Sequence, residues 1–324
     1  MGAGKTMRAA VLTGQRQMHL QEVPIPLPNP HEVRVRLEGC GVCASNVPTW
    51  NGMPWTQYPT EAGGLGHEGW GVVDAVGERV TGLTEGDRVA MISFHAFAEF
   101  DVAPADAVVK FPSDLRDVEF PGEPLGCAMN IFARSQISAG ETVAVVGIGF
   151  LGAILTRLAS NAGAHVIAIS RRPYSLEVAK AMGAEEIIPL DDHTRTVEQV
   201  RALTRGRFCD CVIEAVGKQW PLDLAAELVR ERGRLIVAGY HQDGPRQVNM
   251  QLWNWKGLDV INAHERALQR YTAGIRSAIH AVVDKSVDPL PLFTHRYSLG
   301  DLGKALDDNR ERPEGFMKAL VIYE

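Results

Sequence analysis

From residue 7 to residue 112 the apolar positions alternate with polar ones or gather in short β-branched runs: MRAAVLT, MHLQEVPIP, EVRVRLEGCGV and GWGVVDAVG. Gly, Pro and Asn-Pro punctuate these runs, as expected of short strands joined by turns, and VTGLTEGDRVAMI adds a turn and another strand. The pattern predicts an all-β, barrel-like unit. Near residue 125 the period changes. ETVAVVGIGFLGAILTRLASNAGAHVIAISRR reads as an apolar strand, a glycine turn, an amphipathic helix and a second apolar strand. LEVAKAMGA, EEIIPL, VEQVRALT, CDCVIEAVG, PLDLAAELVRERG and RLIVAGY continue the helix–strand alternation. Apolar strands alternating with helices predict a parallel sheet covered on both faces, hence an α/β unit. After residue 265 come one or two helices, the Pro-rich DPLPLFTHRYSL, a helix LGDLGKALDDNRE and a last strand MKALVIYE. This tail is too short to fold alone and is expected to pack on the first domain. The expected division is residues 1–126 with 265–324 as one domain and 127–264 as the other.

Composition narrows the function classes. With 324 residues, 45% of them apolar, the chain can bury two cores. A net charge of −6 argues against a nucleic-acid or anionic-membrane surface, both of which want a basic excess. No apolar run is long enough to span a bilayer, and MGAGKTMRAAV lacks the apolar segment of a signal peptide. Five cysteines, an odd and sparse set, fit a reducing cytosol better than a disulfide framework. A cytoplasmic protein is expected. The opening GAGKT is not a phosphate-binding P-loop, which needs a further glycine upstream and a preceding strand; it reads as a disordered or vector-derived start.

The glycine turn gives the first chemistry. Gly147-Ile148-Gly149-Phe150-Leu151-Gly152 follows the apolar strand TVAVV and opens a helix. In that context the three glycines divide the work. Gly147 makes the tight turn, Gly149 admits a pyrophosphate to the backbone, and Gly152 lets helix pack on strand. The pyrophosphate then sits at a positive helix N-terminus. A carboxylate at the end of the second strand would bind the ribose 2′-hydroxyl of NAD. This chain has Ser170, Arg171 and Arg172 there and no acid. A hydroxyl followed by guanidinium groups suits a 2′-phosphate, so NADP(H) is expected over NAD(H); the competing reading is two solvated arginines on a loop.

Cys40 and Cys43 form a Cys-x-x-Cys pair that fits a redox disulfide, half of a zinc knuckle, or one thiolate ligand beside a bystander. Further along stand His67, in LGHEGWG, and Glu123 and Cys127, in GEPLGCAMN. A catalytic zinc takes three protein ligands and keeps an open position. Cys43, His67 and one of Glu123 or Cys127 would supply them.

Through GVCASN, GHEGWGVVDAVGERVTGLTEGDRVA, EPLGCAMN and VVGIGFLG the chain resembles the medium-chain, zinc-dependent alcohol dehydrogenases of the sorbitol and threonine dehydrogenase branch, over nearly its whole length. The resemblance implies a GroES-like β-barrel catalytic domain plus a Rossmann doubly wound parallel sheet. It implies Cys43 and His67 as zinc ligands, Glu123 as the third and Glu68 as a neighbouring or alternate one. Cys127 falls about one helical turn later and is expected to be a packed thiol. The family's four-cysteine lobe has no counterpart here, since residues 88–112 contain no cysteine; one catalytic zinc and no structural zinc are therefore expected. Cys43 is then the ligand and Cys40 the bystander. Ser45 matches the family's Ser/Thr that starts the proton relay, whereas Pro48 stands near where many relatives carry a histidine. Trp50, Trp55, Phe94 and His95 fall in segments bordering the substrate cleft or in the aromatic core. Cys209 and Cys211 read as core or surface thiols, and Lys318 as a solvated lysine or a contact to cofactor phosphate. The expected activity is hydride transfer between an alcohol or polyol, or its carbonyl, and NADP(H), in a homodimer or homotetramer. The alternatives are a zinc-independent quinone or enoyl reductase and a non-catalytic NADPH-binding protein.

Overall fold

Alternation in the first third of the chain builds strands β1 (Thr6–Gly14), β2 (Gln17–Pro24) and β3 (Glu32–Val42). A 3-10 turn (Ala44–Asn46) and the single helical turn α1 (Val47–Trp50) follow. Next come β4 (Gly69–Val76), β5 (Arg88–Met91), β6 (Phe100–Pro104), β7 (Val108–Lys110) and helix α2 (Gly122–Ser135). The computed structural model describes residues 5–323; the Gly2–Gly4 portion of GAGKT lies outside them. The apolar runs of the middle third become β8 (Thr142–Val146), β9 (His165–Ser170), β10 (Glu186–Pro189), β11 (Cys209–Glu214), β12 (Val229–Val237) and β13 (Asp259–Asn262). Between them lie α3 (Phe150–Asn161), α4 (Pro173–Ala181), α5 (His193–Leu203), α6 (Gln219–Leu228) and α7 (Met250–Lys256). The chain ends with α8 (Leu268–Val283), β14 (Phe293–Tyr297), α9 (Leu302–Glu311) and β15 (Lys318–Ile322).

Two compact units result: residues 1–126 with 267–324, and residues 127–266. In the first, β1 pairs with β2, and a second sheet runs β14-β15-β3-β4-β5-β7, with β6 also on β3. The C-terminal β15 lies antiparallel to β3, Ala319 opposite Val42. Val33, Val35, Leu37, Met91, Phe97, Trp50 and Phe316 fill the core of this unit.

The second unit is a six-stranded parallel sheet in the order β10-β9-β8-β11-β12-β13. The chain builds outward from β8 on one side, then returns to β11 and builds outward on the other. Such a doubly wound order leaves its ligand crevice where the direction reverses, at the carboxyl ends of β8 and β11. Consecutive residues of β8 and β9 are buried, because helices cover both faces. That burial explains why their sequence reads as an unbroken apolar run. The helix expected over PLDLAAELVRERG stops at Leu228, and its last residues belong to β12. Among the described residues no helix is long and apolar enough to cross a membrane.

Candidate active site

At the end of β3 the chain turns through Cys43, whose sulfur caps the following 3-10 turn by accepting the backbone N–H of Ser45 at 3.5 Å. His67 and Glu68 arrive on the loop before β4. Ligand atoms of Cys43, His67 and Glu68 all lie within 4.8 Å of one another. The carbonyl of Leu65, 2.9 Å from His67 Nδ1, can only accept, so Nδ1 holds a proton and Nε2 is left for the cluster. Ser45 Oγ lies 3.5 Å from that Nε2. Burial alone would depress the His67 pKa. The charge and hydrogen bond of Cys43 and the carboxylates of Glu123 and Glu68 overcome it and hold the ring up at about 10. The thiol and the two carboxylates around the ring thus favour positive charge at this position.

Glu68 is fully buried and faces a buried lysine: Lys318 Nζ stands 2.7 Å from its Oε1 and 2.5 Å from its Oε2. The expectation of a solvated Lys318 is corrected. It is not solvated, but heads β15 next to β3 with only 5% of its surface exposed. Burial opposes its charge, yet Glu68 and Cys43 together raise its pKa. Room for the pair comes from Gly41, where a Cβ would stand 1.8 Å from Glu68 Oε2. Glu123, in the first turn of α2, lies outside the tight three-atom group but acts electrostatically on both His67 and Lys318. Cys127 sits one turn further along the same helix and is half-buried. Cys40 is fully buried, and burial first, then the Glu68 charge, pushes its thiol well above the ordinary range.

In the parallel-sheet unit Gly147 follows β8 with φ +99°, and a Cβ there would meet Val216 Cγ2 at 2.3 Å. Gly149 occupies the N-cap of α3, with Phe150 and Leu151 in its first turn. A Cβ on Gly152 would meet the Gly147 carbonyl oxygen at 2.1 Å, so α3 is packed against the turn as tightly as the backbone allows. Ser170 ends β9 and is buried, its hydroxyl accepting the Arg172 backbone N–H at 3.4 Å. Arg171 is exposed. Arg172 is half-buried and its Nη2 donates to the Ile148 carbonyl of the glycine turn at 3.3 Å.

The aromatic candidates divide. Trp50 is buried and donates to Asp307 at 2.9 Å. Trp55 and Phe94 are exposed, and His95 contacts Glu61 at 2.6 Å. Cys209 and Cys211 are both buried, since a sheet covered on both faces hides either orientation. Sequence reasoning missed the partnership of Lys318 with Glu68. The one available signal was a charged residue inside the apolar run FMKALVIYE.

Comparison with known proteins agrees with this architecture. Residues 29–113 match the family model described as alcohol dehydrogenase GroES-like domain, and residues 151–285 the one described as zinc-binding dehydrogenase. A sorbitol dehydrogenase from Halalkalibacterium halodurans is 27% identical, the match covering 92% of this chain and 95% of that protein. An L-threonine 3-dehydrogenase from Bacillus velezensis is 28% identical over 94% of each. In fold the chain is similar to a crystal structure titled as a putative zinc-binding dehydrogenase from Sinorhizobium meliloti bound to NADP. The TM-score is 0.83 at 23% identity, over 98% of this chain and 99% of that one. With a GroES-like domain, a doubly wound parallel sheet and dehydrogenase relatives along nearly its full length, the chain belongs to the medium-chain, zinc-dependent alcohol dehydrogenase family.

Proposed function

We propose that this protein is a zinc-dependent oxidoreductase that transfers a hydride between an alcohol or polyol, or the matching carbonyl, and NADP(H). The observation that carries the reading is the gathering of a thiol, an imidazole and a carboxylate within 4.8 Å. That donor set fits zinc, which favours sulfur and nitrogen ligands and keeps an open position when it has three. Cys43 and His67 would hold the ion. Glu123 would complete the set; Glu68, whose Oε1 accepts from Lys318 while its buried Oε2 has no hydrogen-bond donor, stands as the neighbouring or alternate ligand. The Leu65 carbonyl orients the imidazole, as partners of metal-binding histidines do. No second, structural zinc is proposed, as the five cysteines offer no cluster of four.

When bound, zinc supplies Lewis acidity that makes a substrate hydroxyl easier to deprotonate. Ser45 Oγ, beside His67, accepts the hydroxyl proton and passes its own toward solvent. A bound nicotinamide cofactor would supply the hydride acceptor, and the Gly147–Gly152 turn would hold its pyrophosphate. Ser170 and Arg171 are proposed to receive the 2′-phosphate, with Arg172 bracing the turn. A cytoplasmic homodimer or homotetramer acting on a small molecule, with no nucleic acid or membrane partner, completes the reading.

Purified protein assayed for metal and screened with polyols, secondary alcohols and aldehydes, with NADP(H) and NAD(H) in parallel, tests it. Bound zinc with chelator-sensitive turnover on one alcohol class is expected. Chelator-resistant turnover without zinc would instead identify a zinc-independent reductase, and dinucleotide binding with no turnover a binding protein.

A further inference from the structure

Glu214 ends β11 at the carboxyl edge of the parallel sheet and is fully buried. Its Oε1 accepts the backbone N–H groups of Val216 and Gly217, both at 2.7 Å, which folds the loop after β11 back over its own strand. Its Oε2 lies 3.0 Å from His241 Nε2, on the loop after β12. The other ring nitrogen, Nδ1, is 2.8 Å from Arg246 Nε. An arginine has no acceptor, so Nδ1 must accept. His241 is therefore held as the tautomer that donates Nε2–H to Glu214. Arg246 continues the chain, donating to the Gly217 carbonyl at 2.9 Å and to Asp243, which in turn binds Lys218. The two loops touch at the backbone as well. A Cβ on Gly217 would lie 2.6 Å from the Tyr240 carbonyl oxygen, and one on Gly239 would lie 2.2 Å from Gly217 N.

This network stands at the switch point of the sheet, where Glu214 of β11 is opposite Val146 of β8. Val216, whose backbone Glu214 fixes, packs its Cγ2 against Gly147, the first glycine of the turn. We propose that the Glu214–His241–Arg246 relay is a positioning device for the dinucleotide: it clamps the loops after β11 and β12 and so fixes the Val216 wall of the crevice beside the glycine turn. The inference rests on the dinucleotide-binding reading given above. His241 itself touches no reacting atom; it acts through Glu214. Removing the ring leaves a buried carboxylate oxygen without its donor and frees Arg246 from one anchor. The cost of orphaning a charged hydrogen-bond partner corresponds to about tenfold or more in an equilibrium constant.

The test titrates NADPH and NADH into the intact protein and into His241→Ala and His241→Gln, following protein fluorescence for Kd and thermal unfolding for integrity. His241→Ala should raise the dinucleotide Kd by about tenfold or more, with kcat at saturating cofactor changed far less. His241→Gln, whose amide can donate to Glu214 and accept from Arg246, should recover most of the affinity. A purely structural role predicts a lower unfolding temperature with Kd unmoved. Kd within twofold of wild type in His241→Ala, or His241→Gln no better than His241→Ala, would overturn the relay. If the wild-type protein binds neither dinucleotide, the functional reading itself falls, and the relay with it.

Discussion

Lys318 and Glu68 form a buried ion pair across the end of β3: Nζ is 2.5 Å from Oε2, one partner heading β15 and the other preceding β4. Lys318 also donates to the Val42 carbonyl at 3.2 Å, so the ammonium is held by strand and carboxylate together. The pair spans 250 residues of sequence and closes over Gly41. It places a positive charge within electrostatic reach of Cys43 and Glu123.

Removing one member of such a pair strands the other's charge away from water, at a typical cost of about 3–5 kcal/mol. Lys318→Met should therefore destabilise the protein strongly, and more than the double variant Lys318→Met/Glu68→Gln, which removes both charges. Urea unfolding of the two variants and wild type measures the difference. Equal losses in the single and double variants would mean that the ammonium is not compensating Glu68.

The same pair bears on the metal. With Oε1 of Glu68 committed to Lys318 and Glu123 as the proposed third ligand, Glu123→Gln should weaken zinc binding more than Glu68→Gln does, as measured by competition with a chromophoric chelator. Cys43→Ser and His67→Ala should each abolish turnover and lower zinc content while leaving NADPH binding within a few-fold of wild type. The reverse ranking of the two glutamates would make Glu68 the third ligand. Near-normal turnover in either the Cys43 or the His67 variant would end the zinc mechanism.

Much of this was readable in the chain because it is local. The turn Gly147–Gly152 follows an apolar strand and opens a helix, so the tight turn at Gly147 and the close packing at Gly152 are evident without tertiary information. Cys43 and His67 were legible as donors of the right type, although only folding brings them within 4.8 Å. Lys318 was not, because a lysine's partner is set by which strands pair, and β15 beside β3 is a contact between opposite ends of the sequence. The alternation rule likewise could not decide the surroundings of Cys209 and Cys211. Opposite orientations imply opposite environments only when one face of a sheet meets water.

Thiol chemistry separates the five cysteines. Burial first, with the Asp210 charge for Cys209 and despite the opposing Arg234 for Cys211, pushes both thiols up to about 12. Native protein treated with a disulfide reagent near pH 8 should therefore titrate at Cys43 and Cys127, both half-buried, and not at Cys40, Cys209 or Cys211. Added zinc should protect Cys43. An acid whose folded pKa lies above its unfolded value stabilises the fold while protonated. The contribution of Cys209 and Cys211 is thus intact below pH 9, the ordinary thiol value, and is lost as pH rises from 9 toward 12. Peptide mapping of the labelled protein reads the pattern; rapid native labelling of Cys209 or Cys211 would contradict the burial described.

On the proposed NADP(H) reading, cofactor choice turns on the loop after β9. Ser170 presents a hydroxyl where NAD-binding relatives of the fold carry a carboxylate, and Arg171 is exposed next to it. A 2′-phosphate gains charge-assisted hydrogen bonds from such a pair, each contributing about 1.5–3 kcal/mol. Ser170→Asp with Arg171→Ala replaces them with an acceptor that welcomes a 2′-hydroxyl and repels a phosphate. The ratio of kcat/KM for NADP over NAD should fall by at least about tenfold. Arg172→Ala should behave differently. Its guanidinium braces the Ile148 carbonyl of the glycine turn at 3.3 Å, so its loss should weaken both cofactors and move their ratio less. A ratio untouched by the double substitution would leave Ser170 and Arg171 as ordinary loop residues and return the cofactor assignment to NAD.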